Sequence, residues 1–253
     1  MKISAVIITY NEERNIKRCL DSLTGVADEI VVLDSFSTDQ TQAICQTFPT
    51  TFIQHPFEGY IEQKNRAVAH AQFDWVLSLD ADEALSDAAR LQIAHLKSLQ
   101  EHPTAYGFNR LTNYCGKWIK HCGWYPDRKI RLFNRLTAHW AGVNPHDIIV
   151  FNTPQPELCY LPADLLHYSY YTIEEHIQQT HRFTTIAARA LHEKGKKASI
   201  IKRFGSPIFK FLKDYFLRLG FLDGYFGWKI CWISAHATYL KYQKLDALGK
   251  QSR

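Results

Sequence analysis

No stretch of this chain is apolar for long enough to cross a bilayer. A spanning helix needs roughly 20 mostly apolar residues, and the nearest approach, residues 219–240, is interrupted by Asp223, Lys229 and His236. The apolar run inside the N-terminal MKISAVIITYNEE is short, ends in polar groups and has no small-residue cleavage site. It reads as a buried strand, not as a secretory signal. Cysteine is sparse: Cys19, Cys45, Cys115, Cys122, Cys159 and Cys231 are far apart and form no C-x-x-C pair. That excludes a disulfide-stapled secreted domain and points to a reducing compartment. Twelve glycines and nine prolines exclude collagen-like and linker-like chains. Also missing are a G-x-G-x-x-G after the first strand and a G-x-x-x-x-G-K-[ST] anywhere. A dinucleotide dehydrogenase and a P-loop NTPase are therefore excluded.

What is present is an ordinary globular composition. The 253 residues are 46% hydrophobic and 13% aromatic, enough for one large domain or two small ones and too apolar for disorder. The formal charge of +5 invites a nucleic-acid reading. Its distribution argues against one. Residues 1–180 hold 15 Lys and Arg against 21 Asp and Glu, a net of −6, while residues 181–253 hold 15 against 4, a net of +11. A basic partner surface belongs to the last third only.

Two periodicities alternate through the first 80 residues. Continuous apolar runs at 3–9, 29–33 (EIVVL) and 75–79 (WVLSL) are expected for parallel strands buried on both faces, with a short strand at 51–54. Helical spacing separates them. Asn11 is placed to cap the first helix, and Ser37-Thr38-Asp39-Gln40 has the form of a capping box opening a second. A third helix is expected at 60–71 and a fourth at 86–100. This rhythm predicts an α/β fold with a mostly parallel sheet. Short strand-like pieces are expected over 105–171, a helix over 172–194, and helical structure over 200–246. The division expected is a catalytic domain at 1–171, split at 83/84 into nucleotide and acceptor halves, and a helical, basic appendage at 172–253.

Ligands of an open parallel sheet bind beyond the carboxyl ends of its strands. Here those ends carry Thr9-Tyr10-Asn11-Glu12, Asp34-Ser35 and Asp80-Ala81-Asp82-Glu83, carboxylates where nucleotide folds of other kinds place glycines. Asp80 and Asp82, hard ligands after a buried strand, can hold Mg²⁺ or Mn²⁺ with positions left open for phosphate oxygens. Such an ion would neutralise a departing diphosphate.

The blocks IITYNEE (7–13), VVLDSFSTD (31–39), QKNRA (63–67) and LSLDADE (77–83) resemble glycosyltransferase family 2 in order and spacing. GWYPDRKIRLFNR (123–135) followed by NPHD (144–147) is similar to its lipopolysaccharide-core β-glucosyltransferase branch. The resemblance covers about residues 1–150. It implies a GT-A fold and transfer of a hexose, glucose by that branch, from a nucleotide sugar to a glycan or lipid-linked acceptor. It places Thr9, Tyr10 and Asn11 on base and ribose, with Glu12 and Ala81 beside them. Asp34 falls near the uracil or ribose, Arg66 near the diphosphate, and Asp80 and Asp82 on the metal. Two positions depart from the family's pattern: Ser35 stands where a second Asp is common, and Asp147 where V-H-E has Glu.

Inverting transfer needs a base for the acceptor hydroxyl. Asp147 is the first candidate, Asp127 the alternative, and His146 a candidate third metal ligand. Arg128, Lys129 and Arg131 can counter phosphate charge, or form a solvated strand face. Trp118, Trp124 and Tyr125 can stack on a sugar, or fill a core. A sugar nucleotidyltransferase and a non-catalytic surface module are the rival functions. Residues 200–221 interleave Lys and Arg with Phe, Ile, Leu and Tyr, as an interfacial helix on an anionic leaflet does. The expected location is accordingly cytoplasmic, on the inner face of the cell membrane, with no nucleic-acid partner and the oligomeric state open.

Overall fold

The computed structural model describes residues 1–251 apart from Pro145, with the side chains of His146 and Gln251 outside the described set. The chain divides into two compact units, one of residues 1–110 and 127–168, the other of residues 111–126 and 169–253.

In the first unit the apolar runs become strands covered on both faces. β1 (Ile3–Thr9) pairs in parallel with β2 (Glu29–Asp34) and with β4 (Trp75–Asp80), and β2 pairs in parallel with β3 (Thr51–Gln54). Alternation decides the two cores. Ile3, Ala5 and Ile7 face one cluster with Val32, Leu77 and Leu79, joined by Ile16, Cys19 and Leu20 of α1 (Ile16–Leu23) and Ile93 of α4 (Asp87–Leu96). Val6, Val31, Leu33 and Val76 face the other, which Ala67 and Val68 of α3 (Tyr60–Ala69) close.

Beyond β4 the sheet continues through β8 (Asp127–Asn134) and β6 (Ala105–Tyr114) to β11 (Leu158–Tyr170) and the short β5 (Glu83–Leu85), with antiparallel pairing of β4 with β8, β8 with β6 and β11 with β5. β9 (Ala138–Val143) and β10 (His146–Phe151) form a separate hairpin. The result is the expected GT-A type α/β sheet flanked by helices, with a helical C-terminal region. Strands in the antiparallel half are longer than the scattered Pro and Gly residues suggested: β11 runs for 13 residues through Pro162.

Two capping expectations are corrected. Helix α2 covers only Thr41–Cys45, and no side chain of Ser37–Gln40 forms the reciprocal capping box; Asp39 Oδ1 instead accepts the Thr41 N–H at 2.9 Å. Asn11 does not cap α1. It sits at φ 53°, its N–H donates to Ser37 Oγ at 2.8 Å, and its Oδ1 accepts the Thr38 N–H at 2.8 Å. The loops after β1 and β2 are thereby stitched together.

The second unit is helical. Thr172 and Glu175 form a true capping box at the start of α5 (Ile173–Glu193). Helical turns at Ile201–Gly205 and Lys213–Leu217 flank α6 (Ser206–Leu212), and α7 runs from Gly224 to Gln251. β7 (Lys117–Ile119) and the loop after it are tied to the start of α7 by Asp223, whose buried carboxylate accepts the His121 N–H at 2.8 Å. Gly227 is required there, because a Cβ would lie 1.9 Å from the Gly220 carbonyl oxygen. No described helix is long and apolar enough to cross a membrane.

Candidate functional site

The strand order β3-β2-β1-β4 reverses between β1 and β4, which makes their carboxyl ends a crevice. Register brings three expected residues level there: Thr9 lies opposite Asp34, and Ile8 opposite Asp80. The Thr9 hydroxyl is buried without a partner among the described residues, while Tyr10 stands 58% exposed beside it. Asp34 is completely buried, and its carboxylate accepts from the Ser37 N–H, the Ser37 hydroxyl and Gln54 Nε2. It therefore shapes its own loop.

One turn of α3 organises the crevice floor. Gln63 Nε2 donates to Ser35 Oγ at 2.9 Å. Asn65 exchanges two hydrogen bonds with the backbone of Trp140, at 2.8 and 2.9 Å. Arg66 points elsewhere and pairs with Glu58 at 2.8 Å in an exposed position. Between them Lys64 is buried, a residue that sequence reasoning did not single out. Its ammonium lies 2.9 Å from Asp80 Oδ1, 2.8 Å from Asp147 Oδ2 and 4.4 Å from the centre of the Trp140 ring. This one cation joins the strand-end carboxylate to the first candidate base, although the two are 67 positions apart in the chain.

Arg131, also buried, binds the other side. It donates to Glu83 at 2.9 and 2.7 Å and to Asp80 Oδ2 at 3.0 Å, so it is neither a solvated face nor a free phosphate ligand. Burial alone would raise the Asp80 pKa, but Lys64 and Arg131, helped by Arg110, hold the carboxyl well below its usual range. Burial likewise works against the Arg131 charge, and Glu83 and Asp80 hold that charge firmly on. Asp127 lies along the same network, gripped by Arg110 at 2.7 Å and Lys129 at 3.1 Å. Those two cations outweigh its desolvation and lower its pKa. Arg128 is exposed over the Tyr160 ring. Lys64, Arg110, Lys129 and Arg131 thus balance Asp80, Glu83, Asp127 and Asp147, as buried charges require.

Outside that balanced set two carboxylates crowd the mouth. Asp82 places Oδ2 3.2 Å from His167 Nε2, with 29% of its side chain exposed. Glu12 is pushed up to about 7, chiefly by burial and then by Asp82, Asp39 and Asp80, against a hydrogen bond from Asn15. Excess negative charge beside a carboxylate–imidazole pair suits a hard or borderline divalent cation. Asp82 and His167 are the donors present for one, although no cluster of three or more such side chains occurs among the described residues. His167 was not among the expected ligands; the expected one, His146, has its side chain outside the described residues. Ala81 is buried between the two aspartates. Trp118, Trp124 and Tyr125 belong to the second unit, where Trp124 packs against Tyr114 and His176.

Comparison with known proteins identifies related chains. The model of the family described as glycosyl transferase family 2 matches residues 4–155. An uncharacterized glycosyltransferase of Rickettsia typhi is 34% identical over 100% of this chain and 89% of its own. The lipopolysaccharide core biosynthesis glycosyltransferase LpsC of Rhizobium meliloti is 28% identical, over 96% of this chain and 93% of its own. Among solved structures, residues 1–349 of S. aureus TarS in complex with UDP align at a TM-score of 0.47 and 15% identity, covering 100% of this chain and 92% of that one.

Proposed function

We propose, from the premise that this chain belongs to glycosyltransferase family 2, that it moves a hexose with inversion from a nucleoside diphosphate sugar to a glycan or glycolipid acceptor. The observation that carries the reading is Lys64, which sets Asp147 beside Asp80 at the switch point of the sheet. Likeness to LpsC favours a lipopolysaccharide-core acceptor, and the branch resemblance favours glucose.

In this reading Thr9, Tyr10, Asn11 and Glu12 form the donor side of the crevice. The unpartnered Thr9 hydroxyl and the exposed Tyr10 ring are the groups available to a nucleoside. Asp82 and His167 would hold Mn²⁺ or Mg²⁺, with Asp80 behind them. A divalent ion bound there supplies positive charge against the diphosphate as it leaves. Asp147 takes the proton of the acceptor hydroxyl as that oxygen bonds to the anomeric carbon and the bond to the diphosphate breaks. Asp147 suits the role better than Asp127. Lys64 holds one of its oxygens and no described residue bonds the other, whereas Arg110 and Lys129 engage both oxygens of Asp127. Residues 1–171 then form the catalytic domain. Residues 172–253 form an appendage facing an anionic membrane on its cytoplasmic side.

The test is release of free nucleoside diphosphate from a panel of nucleotide sugars with Mn²⁺ and a soluble glycan acceptor. Asp147→Asn should lower kcat by about 10²–10⁴-fold, the usual value of a general base. Donor-dependent stabilisation of the fold should be unchanged. Full turnover by that variant removes Asp147 from the role.

A further inference from the structure

We propose that the second unit binds the acyl chain of an anionic phospholipid in the groove between α6 and α7. The groove has a volume of about 380 Å³ and is lined by Phe204, Ile208, Phe211, Leu212, Trp232 and Tyr239, together with Arg203, whose guanidinium pairs with Asp246 at 3.6 Å. Single-ligand pockets span roughly 300–1,000 Å³. An almost wholly apolar lining offers a ligand contact area but little hydrogen bonding, which fits a hydrocarbon and not a sugar or a nucleotide.

The surface around the groove is apolar as well. Ile201 is 80% exposed, Leu217 76%, Phe209 64% and Ile208 62%, with Tyr225 and Trp232 above half. Exposed apolar patches larger than a few hundred Å² mark interaction sites. Charge identifies the partner. Residues 200–232 carry Lys202, Arg203, Lys210, Lys213, Arg218 and Lys229 against only Asp214 and Asp223. Both acids are buried, Asp214 under Lys210 and Arg218, and Asp223 against His121. What this segment shows to solvent is therefore apolar or cationic. A second copy of the chain would bring the same positive charge to the contact. An anionic leaflet complements both properties, and interfacial Trp and Tyr sit at its headgroup level.

Vesicle binding needs neither donor nor turnover, so it is read independently of sugar transfer. The groove rests on the membrane-facing reading of residues 172–253, and capture that persists with quenching unchanged in both groove variants overturns the groove while leaving that reading standing. Full-length protein is floated with vesicles of phosphatidylcholine alone or with added phosphatidylglycerol. Capture should require the anionic lipid and weaken with salt. A basic residue near such a surface contributes roughly fivefold, so replacing the exposed Lys202 and the half-buried Lys213 and Lys229 together by alanine should weaken partitioning about a hundredfold. Phosphatidylglycerol with brominated acyl chains should quench Trp232. Ala235→Phe, which fills the groove, and Leu212→Phe, which narrows it from an exposed position, should each at least halve that quenching while charge-dependent capture persists. Absence of capture at low salt, capture indifferent to headgroup charge, or quenching unchanged in both groove variants overturns the proposal. So does concentration-dependent self-association without lipid, which would assign the surface to a second copy.

Discussion

Replacing Lys64 by methionine keeps the length and apolar bulk of the side chain while deleting its charge, and the structure sets the consequence. The ammonium is 2.9 Å from Asp80 and 2.8 Å from Asp147, with only 4% of the side chain exposed. Without it Asp80 keeps Arg131, but Asp147 has no cation left within hydrogen-bond reach among the described residues. Removing one partner of a buried ion pair costs about 3–5 kcal/mol, because the other charge stays buried unpaired. A folded domain has about 5–15 kcal/mol in total. At about 2–4 °C per kcal/mol for a chain of this size, Tm should fall by roughly 6–20 °C. The diagnostic measurement is a double-mutant cycle by urea unfolding near neutral pH. Asp147→Asn should be harmful with Lys64 present and should restore about 1–3 kcal/mol in the Lys64→Met background, where it removes the orphaned charge. The reasoning fails if Lys64→Met costs less than about 1 kcal/mol, or if Asp147→Asn is equally harmful on both backgrounds.

Two further outcomes follow from other parts of the molecule. Burial lowers the His176 pKa from its ordinary 6.5 to about 4, so between those values the unfolded chain takes up a proton that the folded chain refuses. Its contribution to stability is whole above pH 6.5 and is lost as pH falls toward 4, by up to about 3 kcal/mol. His176→Phe should flatten that part of the acid slope in urea titrations compared between pH 7 and 4.5; an unchanged slope refutes the assignment. At the site mouth, Asp82→Asn and His167→Ala should each weaken Mn²⁺ binding in the presence of a nucleoside diphosphate by at least about tenfold. Calorimetric titration reads this, Asp127→Asn serves as the unaffected control, and retained affinity in both variants removes the pair from the metal site.

The strands were legible because burial on both faces leaves an unbroken apolar signature, as in Ile3–Thr9 and Trp75–Asp80. Asp80, Asp82 and Asp147 could be singled out as candidates because Asp80 and Asp82 follow a buried apolar run and Asp147 follows a Pro turn beside a histidine. Lys64 was not, since a helical lysine ordinarily faces water. The available signal was its phase: with Gln63, Ala67 and Val68 it falls on the buried stripe of α3. His167 escaped because only the antiparallel register of β11 with β5, opposite Glu83, carries it to Asp82. Asn11 and Asp39 misled because short polar side chains can cap a helix or bridge two loops with equal ease, and local sequence does not record which partner is nearer.

Gln63, Lys64, Asn65 and Arg66 each address a different partner from successive positions of one helical turn. Each step along a helix turns the side chain by about 100°. A single inserted or deleted residue ahead of Gln63 within α3 would therefore rotate all four assignments at once, sending the ammonium away from both carboxylates. Substitutions in this turn can be graded one by one, but changes of length cannot. Natural variation in this protein's length should accordingly collect in surface loops and leave the length of α3 ahead of Gln63 fixed.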